Sequence, residues 1–194
     1  QFGEVYLRIE PLARGAGFEF VDQVKGGVIP YNFIPAVQKG VESVLAAGPV
    51  AGFPMQDVRV IVYDGKHHPV DSKEVAFVAA GKKAFLDAIG KARPQVLEPI
   101  AELEVTAPEQ HMGDISGGLS TKRARISGTD SARGGEIVVK AKVPMSELEG
   151  YAAELKSITA GRGRYALDFS HYEPVPAQVQ QKLVDAYKPH HEED

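Results

Sequence analysis

The chain has 194 residues, 43% hydrophobic and 25% charged, an ordinary composition for one or two globular domains with a real core. A formal net charge of −4 gives no global attraction for nucleic acid, so any such binding has to come from local patches. Cysteine is absent, which excludes disulfides and thiolate metal sites and suits a reducing cytosol, and no run of about 18 apolar residues offers a membrane span.

The chain opens at Gln1 without an initiating Met or a signal peptide and so reads as a piece of something longer. Residues 4–10 alternate, with Val5, Leu7 and Ile9 on one face and Tyr6 and Arg8 on the other, which predicts a half-buried strand. Pro11, Gly15 and Gly17 end it, and Phe18 to Val21 predicts a second short strand. Gly26-Gly27 can bring backbone close to a phosphate, but no Lys-Ser/Thr of a P-loop follows, so a plain turn is expected. Pro35 suits the first turn of a helix whose stripe is Val37, Val41, Val44 and Leu45, with Gly40 on the same side and Gly48-Pro49 as its stop.

The stretch YDGKHHPVDSKEVAF, residues 63–77, follows a strand-like run from 57 to 63. Asp64-Gly65 predicts a turn, and Asp71 with Glu74 predicts an N-cap for a helix from Ser72 to about Lys91. That helix carries apolar residues around much of its circumference and is expected to be covered on more than one side. Lys66, His67 and His68 then form an exposed cationic tip held between two rigid elements, suited to contact with something negative. Adjacent loop histidines rarely complete a metal site, and no HxxxH or HExxH spacing supports one, so no metal is expected.

The pattern restarts near Pro99. A strand through Ile100, Leu103 and Val105 leads to a short helix with Met112, Ile115 and Leu119. Lys122 to Ser127 predicts a strand, as do residues 136–143. Ser146 and Glu149 read as a second capping box, opening a helix with Leu148, Tyr151, Ala152, Leu155 and Ile158. Residues 164–172 predict the last strand. The order β-α-β-β-α-β is the split βαβ plan, which leaves one face of its sheet free. A closing amphipathic helix over 177–187 precedes the charged, loose tail KPHHEED.

GGVIPYNFIPAVQKG, AGFPMQDVRV and YDGKHHPVDSKEVAF resemble the fourth domain of bacterial elongation factor G. LEPIAELEVTAPEQHMGDISGGLSTKRARI and VPMSELEGYAAELKSITAGRGRYALDF resemble its fifth. The pattern is nearest to the divergent second paralogues of that family. The resemblance implies an α+β chain: a ribosomal-protein-S5-like α/β sandwich with a left-handed crossover, then a ferredoxin-like domain. The first domain would comprise residues 1–95 plus 176–190, the last helix packing back on it, and the second residues 96–175.

By the same resemblance, the first domain is the finger that enters the small-subunit decoding centre and holds the tRNA–mRNA duplex during translocation. The family's tip histidine falls on His68. The family usually has an acid at Pro69 and a neutral or aromatic residue at His67. The fifth domain meets the sarcin–ricin loop and stalk base of the large subunit, with a contact edge over 157–164 that includes Ser157, Thr159, Arg162 and Arg164. The basic residues Lys122, Arg123 and Arg125 are further candidates for rRNA or stalk contact. The family's first helix of this domain usually reads Gly-Asp-Val-Ile-Gly-Asp-Leu, where this chain has residues 113–119 as GDISGGL.

The family hydrolyses GTP with Mg²⁺, but no GxxxxGK[S/T] occurs in these residues, so this stretch is expected to hold no cofactor and to have no catalytic residue. A cytoplasmic monomer partnered by the ribosome is expected. The alternatives are ribosome recycling, ribosomal protection, or an S5-like small-molecule kinase domain, against which the missing phosphate-binding glycine loop argues.

Overall fold

A computed structural model describes residues 1–188, and the expected loose tail lies, beyond Lys188, outside them. The chain divides into two compact units, Gln1–Val96 together with the segment from Ala177, and Leu97–Pro176.

The first unit carries β1 (Glu4–Pro11), β2 (Phe18–Asp22), α1 (Ile34–Ala47), β3 (Val58–Lys66), α2 (Glu74–Lys91) and α5 (Ala177–Ala186). Its sheet has the order β1-β3-β2, with β1 antiparallel and β2 parallel to β3. Val5, Leu7 and Ile9 pack with Phe18, Phe20, Val58, Val60 and Val62 against α1 and α2, as the alternation predicts. Pro35 sits in the first turn of α1, and Gly48 closes that helix in the left-handed region at φ 80. In α2 the buried residues are Phe77, Gly81, Phe85 and Ile89, a single stripe, while Val75 and Leu86 are exposed; the expected second covered side is not there. Each buried phenylalanine contributes roughly 1.5–3 kcal/mol through its apolar area. The Gln180 side chain ties α5 to this unit, accepting from Val96 N–H at 3.0 Å and donating to the Pro94 carbonyl at 3.0 Å.

The second unit carries β4 (Leu97–Pro108), α3 (Met112–Ser120), β5 (Arg125–Ser131), β6 (Glu136–Pro144), α4 (Tyr151–Ile158) and β7 (Arg164–Pro174). The antiparallel sheet has the order β5-β6-β4-β7, the ferredoxin-like plan. Leu103, Val105, Ile137, Val139 and Val143 form its core with Ile115, Leu119, Tyr151 and Leu155 of the two helices. Glu102 and Glu104 of β4 lie opposite Lys142 and Lys140 of β6 on the other side of the sheet, where Lys140 Nζ pairs with Asp130 of β5 at 3.0 Å.

Four local expectations are corrected. Asp64-Gly65 is not a turn: β3 runs through Lys66, with Tyr63 as an extra residue opposite the Tyr6–Leu7 step of β1. Gly65 is needed there because a Cβ would strike the Glu4 carbonyl oxygen and the Ile29 side chain. Asp71 is not an N-cap; Lys73 holds that position in extended backbone and α2 starts at Glu74. Ser146 caps nothing: residues 145–148 form a 3-10 turn, and Gly150 at φ 73 redirects the chain into α4. The strand expected from Lys122 begins instead at Arg125, because Arg123 occupies the left-handed region at φ 55 and bends the chain.

Candidate nucleic-acid interface

The tip is built by β3 ending at Lys66 and α2 beginning at Glu74, with residues 67–73 between. Lys66, His67 and His68 are all exposed, the His68 side chain by 53%. Exposure does not leave the tip loose. Ser72 Oγ accepts from His68 N–H at 2.7 Å and donates to the Phe2 carbonyl at 2.9 Å. Phe2 N–H donates to the Asp71 carbonyl at 3.0 Å, and Ser72 N–H to the His68 carbonyl at 3.0 Å. The entry to β1 and the tip loop are thereby tied together.

The two imidazoles are held in opposite ways. His67 Nδ1 lies 2.9 Å from the Val28 carbonyl, which can only accept, so Nδ1 carries the proton. His68 Nδ1 accepts from Val70 N–H at 3.3 Å and Asp71 N–H at 3.2 Å, so the neutral ring carries its proton on Nε2. The Asp71 carboxylate, expected to cap the helix, instead stands 3.4 Å from His68 Nδ1. Lys66 Nζ is 4.0 Å from Glu4 Oε1, a loose pair on an exposed side chain.

In the second unit the basic run is not a free patch. Lys122 Nζ is paired with Glu154 at 2.9 Å and lies over the Tyr151 ring at 5.8 Å from its centroid; its side chain is only 16% exposed. Arg123 donates through both Nη atoms to Glu98, at 2.6 and 2.9 Å, and through Nε to Glu147 at 3.0 Å. Glu98 chiefly, with Glu147, holds this guanidinium above its ordinary value against the opposing cost of burial. Arg125 donates to Glu173 at 2.7 Å, and this contact together with His171 holds that carboxyl below its usual value. Lys122, Arg123 and Arg125, grouped in the sequence as candidate contacts, are thus each engaged by carboxylates of their own unit.

The edge after α4 separates into three kinds of residue. Ser157 and Arg162 are exposed, and Arg162 has no side-chain hydrogen bond or ion pair among the described residues. Arg164 is exposed but held in a two-pronged pair with Glu136, both bonds 3.0 Å, which lowers the Glu136 pKa. Thr159 is fully buried: its hydroxyl donates to the Leu155 carbonyl at 2.6 Å and accepts from Gly163 N–H at 2.7 Å. It closes the turn and cannot be a surface contact, which corrects its assignment. Sequence reasoning missed Val28, Phe2 and Ser72 as supports of the tip. Only Ser72 carried a local signal, and its capping motif pointed the other way.

Residues 1–93 match the family model described as elongation factor G, domain IV, and residues 95–183 match the one described as elongation factor G C-terminus. The elongation factor G of Aquifex pyrophilus is 49% identical over 184 residues, 95% of this chain and 26% of that protein. The crystal structure of a protein from Thermus thermophilus superposes with a TM-score of 0.73 at 39% identity, over 93% of this chain and 27% of that one. The chain thus spans about a quarter of the length of these relatives.

Proposed function

The chain belongs to the elongation factor G family, and from that premise we propose that it is the ribosome-binding arm of a translational GTPase. In this reading the first unit presents its tip to the tRNA–mRNA duplex in the small-subunit decoding centre. The second unit meets ribosomal RNA of the large subunit at the sarcin–ricin loop and stalk base. The mechanism is steric and electrostatic: an arm that fills the space left by a moving tRNA biases a reversible movement forward. GTP and Mg²⁺ belong to the parent protein, outside these residues.

The observation that carries the reading is the tethered exposure of the tip. A contact that restrains a moving RNA has to be reachable and pre-positioned, and preorganisation lowers the ordering cost of binding. His67 and His68 meet both needs: exposed residues, each with one ring nitrogen spent on backbone and Nε2 without a partner among the described residues. Of the second-unit candidates, Arg162 is the exposed cation with no side-chain hydrogen bond or ion pair among the described residues, which favours it for phosphate.

The test is His68→Ala in the full-length parent. tRNA–mRNA movement is expected to slow more than GTP turnover, measured in parallel by a translocation reporter and phosphate release. Equal slowing of both contradicts the reading.

A further inference from the structure

Residues 67–73 span the gap from the end of β3 to the start of α2, and packing does little to hold them. Of these residues only Ser72 is not exposed, and Val70 is 81% exposed. No apolar side chain anchors the loop, so its hydrogen bonds decide how firmly it is held.

Those bonds meet at Ser72. Its one hydroxyl proton goes to the Phe2 carbonyl at 2.9 Å, and an oxygen lone pair receives the His68 N–H at 2.7 Å. Its own N–H closes the turn on the His68 carbonyl at 3.0 Å. The N–H and the carbonyl of His68 are thus both fixed by one residue, and that residue is bonded to the entry of β1. The entry in turn passes close over α2: a Cβ on Gly3 would come within 3.3 Å of the Ala76 carbonyl carbon and oxygen. The hydroxyl has no second task as a helix cap, because Lys73 holds the N-cap position of α2 and no side chain bonds there. Removing it therefore costs the loop two bonds and the helix none.

We propose that Ser72 is the positioning residue of the tip: its hydroxyl fastens His68 to the entry of β1, so that loop and strand move as one body. Ser72 acts through His68 and not through a contact of its own. Threonine can replace it, since the hydroxyl is kept, and alanine cannot. The bond from Phe2 N–H to the Asp71 carbonyl is backbone and survives a side-chain change, so alanine loosens the loop without releasing it. The consequence for tRNA–mRNA movement rests on the reading of the tip as a contact point; the fastening itself does not.

The first experiment is amide hydrogen exchange by NMR on this chain. In Ser72→Ala the His68 amide is expected to exchange about tenfold faster, the worth of one hydrogen bond. Val60, in the middle strand β3, is expected to keep its rate. Ser72→Thr is expected to exchange as the unsubstituted chain does. An unchanged His68 rate, a rise that Val60 shares, or a threonine variant as loose as the alanine one overturns the assignment. The second experiment measures tRNA–mRNA movement in the full-length parent with Ser72→Ala, His68→Ala and the double variant. Ser72→Ala is expected to slow movement. The double variant is expected to be no slower than His68→Ala, because a residue acting only through His68 then has nothing left to hold. Losses that multiply in the double variant, or Ser72→Ala at the parent's rate beside a slow His68→Ala, overturn the positioning role. The two ideas fail separately. His68→Ala at the parent's rate removes the contact reading and leaves the exchange result standing, whereas a slow His68→Ala beside an unchanged exchange rate removes Ser72 alone.

Discussion

Gly40 and Gly81 pair across the crossing of α1 and α2, each omitting a side chain where the backbone of the other helix passes. A Cβ on Gly81 would lie 2.6 Å from the Val37 carbonyl oxygen, and one on Gly40 would strike the Val78 carbonyl. Neither obstacle is the far end of a flexible side chain, so the helices would have to separate. Gly81→Ala is expected to destabilise the first unit by about 1–3 kcal/mol, the usual cost of overpacking. Gly90→Ala on the same helix meets nothing within 4 Å and is expected to stabilise by about 0.5–1 kcal/mol. Denaturant melts of the two variants check this; equal midpoints would mean that the crossing is not tight.

Arg123 is expected to act on stability rather than on binding. Its guanidinium bridges Glu98, at the start of β4, and Glu147, in the turn before α4. Removing it leaves Glu98, 8% exposed, without its partner, at a cost of about 1–3 kcal/mol. Arg123→Lys keeps the charge but not the planar fork and is expected to recover only part of the loss. A melting temperature unchanged in Arg123→Ala would show the bridge to be incidental.

Arg162 and Arg164 are expected to behave differently although both are exposed. Arg164 has to surrender its two-pronged bond to Glu136 before it can reach a phosphate, whereas Arg162 has no such bond among the described residues. Arg162→Ala in the parent is therefore expected to lower the salt slope of ribosome binding by about one charge, with a smaller change in Arg164→Ala. Glu136→Gln is expected to release Arg164 and strengthen binding. Matching slopes for the two arginine variants would show that the Glu136 pair does not hold in solution.

What was legible in the sequence is what depends on neighbours in the chain. Val5, Leu7 and Ile9 declare their strand by alternation, and Pro35 and Gly48 bracket α1 because φ limits act residue by residue. The exposed tip was legible for the same reason: nothing apolar near His67 could bury it. Several of the misreadings involve a side chain captured from far away. Ser72 looked like part of a cap but bonds to Phe2, 70 residues distant, and Glu147 in the supposed second capping box turns to Arg123. Lys122, Arg123 and Arg125 looked like a patch because their acids, Glu98, Glu147, Glu154 and Glu173, lie elsewhere in the sequence. Gly65 looked like a turn because Asp-Gly usually is one, whereas here Ile29 and the Glu4 backbone set the need for glycine. The opposite protonation of His67 and His68 depends in part on Val28, 39 residues from His67, and no local pattern reports it.

Tyr151 gives the second unit an alkaline weakness. Its ring is 1% exposed in the core beneath α4, edge-on to Tyr165, and its hydroxyl has no hydrogen-bond partner among the described residues. Burial, with a smaller contribution from Glu154, pushes its pKa up to about 12. The unfolded chain titrates near 10, so the folded state holds the proton more tightly. The resulting stability is fully present below about pH 10 and is lost as pH rises through about 12. Tyr151→Phe has no proton to lose and removes a buried hydroxyl whose desolvation is uncompensated. At pH 7 the variant is expected to melt at the same temperature as the parent chain or higher. Between pH 10 and 12 the parent is expected to lose stability relative to the variant, read as a widening gap in denaturant midpoint. A gap that stays constant across that range would place the Tyr151 hydroxyl in contact with solvent.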